Sequence, residues 1–175
     1  MLTKINKGKK MKNEKNMDWS KLVRECLDST AMAVLATREE SGVWATPIYF
    51  SYDKEFNLYF ISPAETRHMK DIKRDQHVAV AIFMPSSASG IHQVGLQMDG
   101  KATMVPDKQI EDIYALRAKR MNRDIDWVPV PMEGHFVKEH GGVFMKITPT
   151  SINYVDTRYF GGNSKRIPLE KISKA

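Results

Sequence analysis

The chain has 175 residues, 42% of them hydrophobic, enough for one cored domain and short for two. It contains no apolar run of about 18 residues, the length a membrane-spanning helix needs. Net charge is +6, but residues 1–17 hold six lysines against Glu14 alone, so the other residues together are close to neutral.

That distribution argues against a basic nucleic-acid-binding domain. The Lys- and Asn-rich stretch 1–17 reads as a disordered tail able to touch acidic surfaces only non-specifically. No interleaving of basic and aromatic residues supports specific nucleic-acid recognition. The start also lacks the apolar core and cleavage site of a secretory signal. A single cysteine, Cys26, excludes an internal disulfide framework and fits a reducing cytoplasm. Cys26 itself reads as a packing residue.

From Asp18 the pattern turns helical, with Trp19, Leu22, Val23, Cys26 and Leu27 on one side and an end near Ser29 and Thr30. Residues 31–37 form a short apolar run and read as a first strand. The turn 39–42 leads to a second strand, 43–51, and the turn 53–57 to a third, 58–62. These three strands are expected to form a meander. A short helix is expected over 66–75, with Met69 and Ile72 inward and Arg67, Lys70, Lys73 and Arg74 outward. Residues 77–83 read as a buried strand and 85–90 as a loop. A long strand over 93–105 is expected to bend at Gly95 or Gly100.

Pro106 then opens a helix to Met121 with an apolar stripe of Ile110, Ile113, Tyr114 and Leu116. The Pro- and Gly-interrupted stretch 122–141 reads as a lid-like excursion, followed by strands at 143–148 and 151–155. One domain is expected over 18–160, with 161–175 as a C-terminal tail. Strands interrupted by a few helices point to a mainly β, α+β domain built on a closed or partly closed antiparallel sheet.

The chemistry-bearing segment is Thr66-Arg67-His68-Met69-Lys70. A hydroxyl, a guanidinium and an ammonium at a helix start suit a phosphate group, because the first N–H groups and the helix dipole add to them. A solvated basic helix face, partly neutralised by Glu65 and Asp71, accounts for the same residues. No GxxxxGK[ST] or GxGxxG element is present. The five histidines (His68, His77, His92, His135 and His140) lack metal-ligand spacing, so no metal site is expected. No nucleophile motif marks a hydrolase.

The order of a hairpin, a third strand, a basic helix start and the apolar strand 77–83 resembles the pyridoxamine-phosphate-oxidase-like split β-barrel family. The likeness covers about residues 30–105 and extends more weakly to about 155. It implies an antiparallel split β-barrel with peripheral helices, FMN as cofactor, oxidoreductase activity and a homodimer whose two flavin sites lie between subunits. Family members commonly read Ser/Thr-Arg-Lys after the third strand and hold the flavin phosphate there. Thr66, Arg67 and His68 stand in that place, with His68 where lysine is common and Lys70 close behind. Thr46, Pro47, Ile48, Ile61 and Ser62 become ring or ribityl neighbours by the same implication. Gln97, on the strand leading to Gly100-Lys101-Ala102, is the candidate polar partner between subunits. Haem or the deazaflavin F420 is the alternative cofactor within this fold, and a cofactor-free binding or regulatory module is the alternative from another functional class.

Overall fold

The structure is a computed structural model that describes residues 17–84, 92–124, 142–161 and 163–172, with the backbone alone over 121–124. The expected tail 1–17 apart from Met17, the loop 85–90 and most of the excursion 122–141 lie outside the described residues.

Helix α1 (Trp19–Asp28) begins where the Asp18 carboxylate accepts the Lys21 N–H at 2.9 Å. It buries Trp19, Val23, Cys26 and Leu27, the expected face. Burial pushes the Cys26 thiol up to about 12, so it packs as a small apolar group. Strand β1 (Met32–Glu39) pairs antiparallel with β2 (Gly42–Tyr49) along its whole length. The expected second strand does not run through to Ser51. It breaks at Phe50, which is fully buried and donates its N–H to Ala31 O at 3.0 Å. Beyond the break, β3 (Ser51–Tyr52) pairs with β4 (Leu58–Pro63).

The sheet order β2-β1-β5-β6-β7-β4-β3, with β8 on β7, therefore replaces the expected three-strand meander. β2 and β4 belong to opposite ends of this path. One chain segment serves both ends, pairing with β1 up to Tyr49 and with β4 from Ser51, and the buried Phe50 lies between the two pairings. The architecture is the antiparallel split barrel, made among the described residues of eight strands.

Helix α2 (Arg67–Arg74) lies against β1, and β5 (His77–Phe83) pairs with β1 and β6. The reading of β5 as buried needs correction. Only Val78, Val80 and Ile82 face the core, while His77, Ala79, Ala81 and Phe83 alternate outward. β6 (Val94–Met104) slips register between Asp99 and Gly100. A Cβ at Gly100 would meet Thr148 O at 2.8 Å, so the close approach of β7 (Gly142–Asp156) requires glycine there. Gly100 faces Pro149, whose missing N–H is tolerated at the irregularity. The two short strands expected around Pro149 are consequently one strand of 15 residues.

Helix α3 (Ile110–Asp124) runs three residues past its expected end and inserts Ile113 into a second apolar cluster with Tyr59, Val105 and Phe144. Residues read as a C-terminal tail also join the fold. The short helix α4 (Thr157–Phe160) leads to β8 (Ser164–Ile167), which pairs with β7, and Ile167 and Ile172 are buried in the main core. Two isoleucines supply the anchors in a stretch whose low apolar content suggested none. No described helix is long and apolar enough to cross a membrane.

Phe50→Ala is expected to destabilise the domain by about 3–5 kcal/mol, because it empties the point where the long strand divides. Urea unfolding of the variant measures this, and an unchanged midpoint would show that the ring does not hold the split.

Candidate functional site

Strand β4 hands over to α2 through a turn in which Thr66 N–H donates to Pro63 O at 3.1 Å. Thr66 is the N-cap, with extended backbone at φ −67° and ψ 155°. Its hydroxyl does not cap the helix. It donates to Pro63 O at 2.9 Å and lies 3.1 Å from Ser62 Oγ. The helix start thus keeps N–H groups that no capping side chain has taken.

The His68 ring turns inward. Its Nε2 lies 2.7 Å from Ser62 Oγ and 3.3 Å from Thr66 Oγ1, and the ring packs against Phe60. Burial lowers the pKa of the imidazole from its ordinary 6.5, with Asp71 pulling the other way, so His68 is neutral near pH 7. Ser62, Thr66 and His68 form one internal polar cluster.

Arg67 points the other way, towards the β1–β2 hairpin. Its guanidinium lies 4.2 Å from the centre of the Trp44 ring and ion-pairs with Glu39. Arg74 is seven residues on and shares that helix face. Its Nη2 stands 3.8 Å from the other Glu39 oxygen. α2 is pinned to β1 beneath this pair: Thr37 Oγ1 donates to the buried Asp71 Oδ2 at 2.8 Å, and Arg38 reaches Asp75 at 2.8 Å. Lys70 departs from the group. It pairs with the exposed Glu65 at 3.2 Å and lines a cavity of about 540 Å³ on the far side of α2, with Met69, Lys73 and Met145.

The other expected site residues fall on two faces of the sheet. Ile48 is buried on the inner face, and alternation puts Thr46 on that face beside Trp44. Ile61 packs in the second cluster with Tyr59 and Ile113, away from Ser62. Pro47 and Gln97 lie on the outer face in one cross-strand row, Pro47–Val34–Ala81–Gln97. Pro47 stands on the edge strand, where its lack of an N–H costs little. Near Gln97 a groove of about 480 Å³ is lined by Phe83, Met84, His92 and Gly95. Among the described residues no His, Cys, Asp and Glu cluster could hold a metal ion.

Glu39, Trp44 and Arg74 complete the basic site without having been read from the sequence as members. Arg74 was within reach of helical spacing, while Glu39 and Trp44 arrive across a strand pairing that spacing does not reveal.

Residues 20–156 match the family described as pyridoxamine 5'-phosphate oxidase. The chain belongs to this family. A UPF0306 protein of Pasteurella multocida (strain Pm70) is 30% identical over 97 residues, 55% of this chain and 64% of that protein, so the chain spans under two thirds of that relative. Among solved structures, a heme binding protein from Mycobacterium smegmatis is 15% identical and superposes with a TM-score of 0.66 over 88% of this chain and 59% of that one. A FAD-binding protein from Mesorhizobium loti is 17% identical, with a TM-score of 0.56 over 76% of this chain and 91% of that one. Both likenesses carry the fold.

His68 gives the cluster a measurable pH dependence. Its folded pKa is below its unfolded one, so the unfolded chain binds the extra proton, and stability present above about pH 6.5 is lost as pH falls towards the folded value. Chemical unfolding of wild type and His68→Gln from pH 7.5 to 5 should show the gap between them narrowing on acidification. A constant gap would mean that the imidazole is not held neutral.

Proposed function

We propose that this chain is an FMN-binding flavoprotein with oxidoreductase activity, working as a homodimer in a reducing cytoplasm. The observation that carries the reading is one carboxylate met by two guanidinium groups, Arg67 at the start of α2, which Thr66 leaves uncapped, and Arg74 at its end. An arrangement that accepts a carboxylate this way suits the terminal phosphate of a mononucleotide. When bound, the isoalloxazine ring would supply the hydride or electron transfer. The protein's part is to bind, orient and exclude water. Arg67, with Arg74, would take the phosphate, Thr66 would turn its hydroxyl towards it, and Lys70 would add positive potential nearby. His68 and Ser62 would brace the turn from inside, leaving the charge to the arginines. Thr46 and Ile48 are the proposed neighbours on the inner face. Pro47 and Gln97 are proposed to act from the outer one and Ile61 from beneath α3.

The outer face of β1, β2, β5 and β6 supports the dimer. It exposes Met32, Tyr49, Val43 at 78% and Phe83 at 63%, with Ala45, Pro47, Ala79 and Ala81 between them. A continuous apolar sheet face of this kind calls for a cover. A second copy would supply one and would bring Gln97 into the interface.

A second reading, haem, draws on the groove at the same face, where exposed His92 stands beside Phe83 and Met84. An absorption spectrum of the purified protein separates the two, since flavin bands and a Soret band do not overlap in form.

Arg67→Ala is expected to weaken FMN binding by roughly tenfold to a hundredfold, measured by quenching of flavin fluorescence. An unchanged affinity would remove the phosphate assignment. Ala81→Glu, in the middle of the outer face, is expected to shift the protein to monomer in sedimentation. Persistence of a dimer would move the interface elsewhere.

A further inference from the structure

Glu39 occupies the place that the proposed anion needs. It stands at the end of β1, where the hairpin turns, and its Oε1 accepts from Ser41 Oγ at 2.7 Å while meeting Arg67. Its Oε2 is 3.8 Å from Arg74. The bond from Ser41, and then the charges of Arg67 and Arg74, hold its pKa below the ordinary carboxylate range, so it is fully ionised at neutral pH. The Trp44 ring also supports the Arg67 guanidinium, from one face. The pair is partly buried, with side-chain exposure of 43% for Arg67 and 20% for Glu39. Its consequence falls on binding: a dianion arriving at Arg67 must either displace the carboxylate or sit beside it against repulsion.

We infer that Glu39 is a built-in counter-anion of the phosphate site, a specificity residue that occupies Arg67 and Arg74 until a ligand carrying a phosphate group displaces it. This rests on the flavin reading above and adds a residue that weakens binding where the others strengthen it. A weakly charged or neutral ligand cannot compete for the arginines, so the carboxylate sharpens discrimination between phosphorylated and unphosphorylated forms of one molecule.

The experiment titrates FMN and riboflavin, which lacks the phosphate, against full-length wild type, Glu39→Gln, Glu39→Ala, Arg67→Ala and the Glu39→Gln/Arg67→Ala double variant. Thermal melts establish that each variant is folded. Removing the carboxylate should tighten FMN binding roughly threefold to tenfold and leave riboflavin binding unchanged. The gain should disappear in the Arg67→Ala background, because the two residues act on each other. If Arg67→Ala weakens FMN binding while both Glu39 variants bind it as wild type or more weakly, the inference is overturned and the flavin reading stands. An equal gain for riboflavin also overturns it, since the effect would not then involve the phosphate. If wild type binds neither flavin, the flavin reading fails and the inference fails with it.

Discussion

The fold depends on the point where the segment 42–52 changes partner: Phe50 N–H to Ala31 O extends the β1–β2 pairing one step beyond Met32–Tyr49, and from Ser51 the segment pairs with β4 instead. β1 begins at Met32, so beyond Phe50 the segment has no further partner there and is taken up by β4. The Phe50 ring is fully buried on the same side as Ile48 and anchors this changeover in the core. Arg120 lies over the same ring at 4.7 Å and donates to Thr30 O at 2.6 Å, so α3 and the end of α1 are tied to the break as well. The split is thus held from the strand, from the core and from a helix outside the sheet.

The site depends on that closure at one remove. β4 delivers Ser62 and Thr66 to the start of α2, and the buried Thr37–Asp71 bond fastens α2 to β1. Only with α2 in that position do Arg67 and Arg74 face the β1–β2 hairpin. Side chains from three elements then share a small volume: Glu39 from β1, Trp44 from β2 and two arginines from α2. Charge is divided by depth. The buried His68 and Ser62 bond one another as neutral groups, and the half-buried Thr66 hydroxyl, which donates to Pro63 O, stands beside both. The cations stay at the rim, where solvation keeps them inexpensive. Membership of the pyridoxamine 5'-phosphate oxidase family sets the fold in which this division occurs, and relatives of that fold include proteins described as heme binding and FAD-binding.

Local elements were largely legible from residue order. Period-3.6 and period-2 patterns marked α1, α2, α3 and most strands to within a few residues, because those patterns reflect which side of each element meets the core. The family resemblance supplied the barrel. What spacing could not supply was pairing. The apolar run 77–83 looks buried on both sides, yet small residues such as Ala79 and Ala81 pass equally well for core and for an open sheet face. Pro149 looks like a strand end, yet it sits inside a 15-residue strand because that strand itself bulges beside it, with Thr150 left between the pairs Gly100–Pro149 and Asp99–Ser151.

At the basic segment the division is sharper. Residue types and their succession were enough to mark 66–70 as a place where charge and hydroxyl gather at a helix start, since composition along a short stretch is local information. The direction each group takes is not local. His68 turns in and Arg67 turns out because Phe60 and Ser62 lie on one side of α2 and Trp44 and Glu39 on the other, and those neighbours are set by strands that pair across the fold.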